Sequence, residues 1–333
     1  MAVERRLVGV DVARALAVLG MLWAHFAPDG TSDGLADGRS SVLFATLAGV
    51  SLGLITGGAT PVEDRTRARI TVALRGVWLI VLGRGLWALG TPIAVILDYY
   101  GVLFLLLLPV LFAPRWVLAV VAGVAATAGA ALVQAVDADR YAAFVGTNPL
   151  LWPSQWLVTG YYPDVVWAAY VAVGLLLARS DLTRRGTRLA MVAGGAAASV
   201  VGYGGAAMLR QDATAHSDTT WEVLGSGGVA VTAIGALLVL GSVPAVARVL
   251  SPLADAGAMP LTIYTGQLIA LAVFLAIPRD DAGAFQYWGL LVGIAAASIV
   301  FAVLWRRFVG RGPMEQLMAT LTNRSTTGSR PVR

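Results

Sequence analysis

Residues 92–112 read Pro-Ile-Ala-Val-Ile-Leu-Asp-Tyr-Tyr-Gly-Val-Leu-Phe-Leu-Leu-Leu-Leu-Pro-Val-Leu-Phe, an apolar run with one ionisable side chain, Asp98. A bilayer-spanning helix needs about 20 predominantly apolar residues, so this stretch is long enough to cross. A lone carboxylate in hydrocarbon is costly unless another segment meets it. The preceding segment supplies the partner. Residues 68–90 form a second apolar run, and Arg84 stands as far before the turn at Gly90–Pro92 as Asp98 stands after it. In an antiparallel helix pair, residues equidistant from the turn share a depth, here about 10 Å below the surface at 1.5 Å rise per residue. The stretch therefore reads as half of a membrane hairpin with Arg84 facing Asp98. Two roles stay open for the pair: fixing helix register, or serving a functional site.

The pattern repeats outward in both directions. Apolar runs near 8–27, 39–58, 68–90, 92–112, 115–135, 162–179, 188–209, 221–241, 254–277 and 285–305 predict about ten spans and an all-α, polytopic fold. A chain that is 58% hydrophobic and 13% charged, with mean hydropathy +0.76, is excluded from the soluble class. Residues 1–320 read as one transmembrane domain and 321–333, rich in Ser, Thr and Arg, as a disordered cytoplasmic tail. The first run follows Arg5 and Arg6 but contains Asp11 and Arg14 and lacks a small-x-small cleavage site, so it reads as an uncleaved helix. The chain has no Cys, which excludes thiolate chemistry, and all 24 basic residues are Arg, which excludes Lys-dependent chemistry.

With the N-terminus inside, Arg39, Arg140, Arg210 and Arg279 alone fall in outer segments, while Arg14, Arg75 and Arg84 lie within spans and every other arginine is cytoplasmic. That asymmetry predicts both termini inside. The pI of 9.9 then reflects topology and anionic lipid rather than nucleic acid. The outer break 136–161 carries Trp152 and Trp156 and leads into Tyr161 and Tyr162, an interfacial aromatic belt. The Ala- and Gly-rich fifth and seventh spans predict close helix packing and permit a homodimer.

Chemistry is sought among polar groups at membrane depth. His25 ends the first span and Arg39 begins the second, across an acidic loop holding Asp29, Asp33 and Asp37. His is the commonest acid–base side chain near neutrality, so His25 is the leading candidate and Asp37 a candidate to orient it. His216, ahead of Ser217, Asp218 and Glu222 in an outer loop, is the second. Asp11 and Arg14, spaced i, i+3, read either as a local clasp or as ligand-binding groups. Two histidines without HExxH spacing exclude the usual zinc site, so no metal is expected.

The stretch Asp11-Val-Ala-Arg14 through His25 resembles the opening of bacterial transmembrane acyltransferases related to heparan-alpha-glucosaminide N-acetyltransferase, with Ala15 where that family has Gly. Gly38-Arg39-Ser40-Ser41, Asp98-Tyr99-Tyr100-Gly101, Tyr162-Pro163, His216-Ser217, Leu261-Thr262 with Tyr264, and Gly312-Pro313 with Glu315 extend the resemblance along the chain. It implies acyl transfer at a bacterial plasma membrane from cytoplasmic acyl-CoA, acetyl-CoA first among the donors, to a hydroxyl or amine of an external sugar or glycan. On that reading His25 deprotonates the acceptor as it attacks the thioester, and Arg39, Arg84 or a backbone N–H holds the oxyanion. Arg65, Arg67, Arg69, Arg115 and Arg179 then meet the nucleotide phosphates, with Asp11 and Arg14 at the way in, although the positive-inside rule alone places those arginines too. Tyr99, Tyr100, Asp164, Glu222, Tyr264 and Gln267 line the acceptor or acyl path, or serve as helix-end and interhelical hydrogen bonds. The rival reading is a secondary transporter whose buried Arg and Asp groups line the substrate path. Against it, the sequence shows no inverted repeat and no matched pair of broken helices.

Overall fold

Local signals start the helices. Asp64 caps the helix that follows it by accepting the Arg67 N–H at 2.9 Å, and Thr219 does the same for Glu222 N–H at 3.1 Å. Gly38 enters its helix at φ 65°, a conformation that favours Gly. The computed structural model describes residues 7–28, 36–136, 149–277 and 285–327. Its helices are α1 (Val8–Phe26), α2 (Arg39–Ile55), α3 (Arg65–Trp87), α4 (Leu97–Leu106), α5 (Arg115–Ala135, with a π-turn inside it), α6 (Trp152–Thr159) and α7 (Asp164–Ala178). They continue with α8 (Arg185–Leu209), α9 (Thr220–Leu240), α10 (Pro244–Val249), α11 (Ser251–Gly257), α12 (Pro260–Ala276), α13 (Trp288–Phe308) and α14 (Pro313–Thr327). No strand occurs among the described residues.

Helices fall on each of the apolar runs, but the described residues hold six helices long and apolar enough to cross a bilayer, or eight if two bent pairs each count as one span. The protein is a polytopic membrane protein by that measure. Its surface agrees: Val200 is 72% and Met208 86% exposed, a placement that suits lipid and not water. The bent pairs are α6 with α7, at 64°, and α11 with α12, at 77°. They supply two broken-helix candidates where the sequence showed no matched pair. The run 92–112 is helical for only 10 residues, about 15 Å and half the hydrocarbon thickness. Pro109 explains the early stop, since it has no N–H to continue the helix and disfavours helical backbone in the residue before it. At the other end, α14 runs to Thr327, past residue 321 where composition predicts disorder.

Close crossings hold the bundle. A Cβ on Gly49 would strike the Val171 carbonyl and one on Gly174 the Thr46 carbonyl, so α2 and α7 interlock backbone to backbone. Gly257 does the same for α11 against the Asp11 carbonyl of α1. Ala15 lies at the same crossing, where the small residue stands on the facing helix. Trp167, Tyr264, Phe26 and Leu22 fill the centre. The bundle has a near face, where α1 begins, and a far face, where it ends.

Candidate functional site

Two cavities enter the bundle from opposite faces. The far cavity, about 320 Å³, is lined by His25, Asp37, Ser41, Tyr161, Tyr162 and His216 among others. The structure thus brings both histidines to one place, though 190 residues of chain separate them in the order His25, His216. His25 stands in the last turn of α1, and its Nδ1 is buried and makes no hydrogen bond within the protein. Asp37 is exposed on the same wall, and no hydrogen bond joins it to that nitrogen. Asp29 and Asp33 lie outside the described residues.

His216 is set by its loop. Its φ is 60° and that of Asp218 is 51°, both left-handed and unfavourable for residues with a Cβ. Glu222 holds them there. One carboxylate oxygen accepts the His216 N–H at 2.8 Å and the other accepts the Asp218 N–H at 2.6 Å and the Ser217 hydroxyl at 3.3 Å. Glu222 is therefore a loop clamp at the start of α9, the helix-end alternative, and does not line this cavity. The His216 ring lies parallel to Trp167, centroids 6.0 Å apart, with Tyr161 at 4.3 Å and Tyr162 at 5.5 Å. Asp218 fixes Trp167 in turn by accepting its indole N–H at 3.0 Å.

Arg39 does not join this cavity. Its Nε donates to the Tyr203 hydroxyl on α8 at 3.0 Å, and the guanidinium covers that ring. Sequence adjacency to the acidic loop suggested a site role; helix packing directs the side chain elsewhere. Arg84 and Asp98 pair as the turn symmetry requires, at 3.0 Å. Asp98 Oδ2 also accepts the Trp156 indole N–H at 2.9 Å, and Arg84 sits between the rings of Trp87 and Trp152. The pair thereby fastens α6 to the α3–α4 hairpin.

The near cavity, about 300 Å³, is walled mainly by apolar side chains and carries Arg14, Ser51, Arg75, Tyr100 and Glu315. Arg14 binds Asp11 at 2.9 Å and Ser51 at 2.9 Å. Asp11 is buried behind it and does not line the cavity. Arg75 points a buried Nε here without a hydrogen-bond partner, a group the sequence showed inside a span but to which no role was given. Glu315 accepts the Leu261 and Thr262 N–H groups at the start of α12.

One hydrogen bond joins the walls of the two cavities. Tyr100, on the near wall, donates its hydroxyl to the carbonyl of Ser41, on the far wall, at 3.2 Å. Tyr264 accepts the Ile96 N–H at 3.2 Å, and Tyr99 accepts the Tyr161 N–H at 3.3 Å. Asp164, at the α6–α7 break, is fully buried with neither carboxylate oxygen hydrogen-bonded within the protein. The Gln267 amide is in the same position. Of the six path residues expected from sequence, Tyr100 alone lines one of these two cavities.

The arginines expected to bind nucleotide phosphates do not line the near cavity. Arg65, Arg69 and Arg179 gather around the Phe112 ring at 5.5, 5.3 and 5.6 Å. Arg179 is buried and donates to the carbonyls of Gly53, Thr56, Gly58 and Leu111, an interhelical staple. Arg67 is exposed. Arg115 and Arg179 line a separate cavity beside Asp181, whose carboxyl is held below its usual range by the Thr183 hydroxyl and N–H. Among the described residues no group of three or more His, Asp or Glu could hold a metal ion.

Residues 174–325 match the model of a family described as a protein of unknown function (DUF418). The matched part contains His216, Glu222, Tyr264, Gln267 and Glu315, while His25, Arg14 and the Arg84–Asp98 pair precede it. No curated protein matches the chain.

Proposed function

We propose that the protein is a transmembrane acyltransferase that moves an acyl group, acetyl being the simplest, from acyl-CoA at the near face to a sugar or glycan hydroxyl or amine at the far face. The observation that carries this reading is the meeting of a histidine-lined cavity and an arginine-lined cavity at a single hydrogen bond, Tyr100 to Ser41. A thioester arm entering beside Arg14 and Arg75 would have to pass the packed layer that contains this hydrogen bond before reaching the far cavity, and breaking that bond is by itself a net change of about 1 kcal/mol. The near face is cytoplasmic in this reading, with ten spans, both termini inside a bacterial plasma membrane, and a homodimer permitted.

In the transfer step the acceptor oxygen or nitrogen bonds to the thioester carbonyl carbon and the C–S bond breaks. His25 takes the acceptor proton at its buried nitrogen, and the imidazolium returns that proton to the departing thiolate, giving free CoA and a neutral His25. The aromatic cage around His216 holds that second imidazole at the same cavity, where it binds the acceptor. Acetyl-CoA added to the purified protein should raise its unfolding temperature, and turnover should release CoA with a glycan acceptor present. His25→Ala should keep the shift and lose the release. No shift at saturating acetyl-CoA refutes the acyl-CoA donor, and a burst of acyl-His would replace direct transfer with a two-step route.

A second reading, a secondary transporter, gains from the two bent helix pairs, since broken helices build the midplane sites of such proteins. It requires substrate flux without thioester cleavage. The same purified protein in vesicles distinguishes the two.

A further inference from the structure

Between α5 and α8 the structure holds a groove that the acyl-transfer reading does not use. Its near-face part is a cavity of about 540 Å³ with Arg115, Arg184, Ser180 and Thr187 on its walls. Its inner part, about 250 Å³, is lined almost wholly by small and apolar residues, among them Ala122, Gly123, Ala126 and Ala198. The two parts share Gly194, Gly195 and Val231, so they form one continuous track from a basic mouth to an apolar interior. Small residues on these helices suggest tight packing, yet a Cβ placed on Gly123, Gly186 or Gly194 would meet nothing within 4 Å. Gly195, by contrast, is packed against α9. One side of α8 is thus spent on α9 while the other side faces open space.

We propose that this groove binds an anionic glycerophospholipid, with the phosphodiester between Arg115 and Arg184 and one acyl chain lying along Gly194, Ala198 and Ala126. Three observations point to that occupant. Arg115 and Arg184 are exposed, and guanidinium forks suit phosphate oxygens. Arg179, 8% exposed, stands in the same wall with its Nε buried and without a hydrogen-bond partner. The change from basic to apolar lining follows the order of groups along a lipid entering from the near leaflet. Asp181 is the one acid at the mouth, and it is occupied by the Thr183 N–H at 2.9 Å and the Thr183 hydroxyl at 2.5 Å. Charge therefore favours an anionic head group over a zwitterionic one. A second copy of the chain would have to bring an acidic surface here, an outcome the test below also reads.

The test is thermal unfolding of the delipidated full chain in detergent, titrated with phosphatidylglycerol, phosphatidylcholine or glycerol 3-phosphate. Phosphatidylglycerol should stabilise strongly, phosphatidylcholine weakly and glycerol phosphate not at all. Arg115→Gln with Arg184→Gln should weaken phosphatidylglycerol binding about 25-fold, roughly fivefold per guanidinium with interaction between them neglected. Gly194→Leu leaves the charges intact but fills the track, and it should also abolish the preference. Both variants sit in open or exposed positions, and their unfolding temperatures without lipid report that they fold. Equal stabilisation by both lipids, or an undiminished phosphatidylglycerol effect in either variant, overturns the proposal. Stabilisation by glycerol phosphate alone would reassign the mouth to a soluble phosphate, and a change in oligomer mass without bound lipid would reassign the groove to a second copy.

Discussion

Replacing Asp98 with Leu strands Arg84 inside the bundle. The two side chains are 15% and 3% exposed and 3.0 Å apart, so the screening that leaves surface pairs near 0–1 kcal/mol does not apply. Removing one partner of a buried pair costs about 3–5 kcal/mol. Arg84 keeps the faces of Trp87 and Trp152, 4.6 and 4.2 Å away, contacts of about 0.5–2 kcal/mol that place the loss near the lower end, about 3 kcal/mol. The Trp156 indole N–H loses its acceptor as well, for about 1–3 kcal/mol more. Asp98→Leu should therefore destabilise by about 4–6 kcal/mol. Adding Arg84→Met removes the stranded charge and leaves mainly the orphaned indole, so the double variant should be more stable than Asp98→Leu alone by about 2 kcal/mol. Equilibrium unfolding in mixed detergent micelles, followed by far-ultraviolet circular dichroism, measures all four proteins of the cycle. Additive losses, or a loss under about 1 kcal/mol for Asp98→Leu, would refute the account of a coupled buried pair.

Other substitutions probe the site. Glu222→Ala frees a loop that holds two left-handed residues, so His216 should leave its aromatic cage; we expect a stability loss of about 2–4 kcal/mol and a new tryptophan environment for Trp167, and an unchanged emission spectrum would contradict the clamp. Arg39→Gln should retain CoA release within about twofold while destabilising by about 1 kcal/mol, because its partner is Tyr203 and not the cavity; loss of turnover with intact folding would restore a site role. Tyr100→Phe removes the Tyr100–Ser41 hydrogen bond and should speed CoA release if passage limits turnover, by up to about fivefold for about 1 kcal/mol. Slower release with unchanged acetyl-CoA binding would show that the hydroxyl is needed for the chemistry.

Much of the site's geography was legible because depth along a helix is a linear function of sequence. The Arg84–Asp98 pair follows from distance to one turn, and the Asp11–Arg14 bond from i, i+3 spacing. Rotation of a helix about its axis is another matter. Arg39 and Asp37 are near neighbours in the chain, yet packing turns one to Tyr203 and leaves the other on the cavity wall. Arg75 was visible as an in-span charge, but its aim into the near cavity follows from how α3 sits against its neighbours. The Thr219-x-x-Glu222 spacing matches a capping box, but the Glu222 carboxylate instead accepts the His216 and Asp218 N–H groups, a clamp the spacing does not encode.

From its residues alone this chain declares itself a helical membrane protein: hydrocarbon demands long apolar helices, and their periodic breaks are written in Pro, Gly and Arg. Tertiary structure decided which helices bend and that His25 and His216 share a wall. It also decided that the phosphate-binding candidates are partly consumed as staples, and that a groove remains open beside α8. Those outcomes depend on which faces of distant segments meet, a quantity set by side-chain packing between helices and carried by no single stretch of sequence.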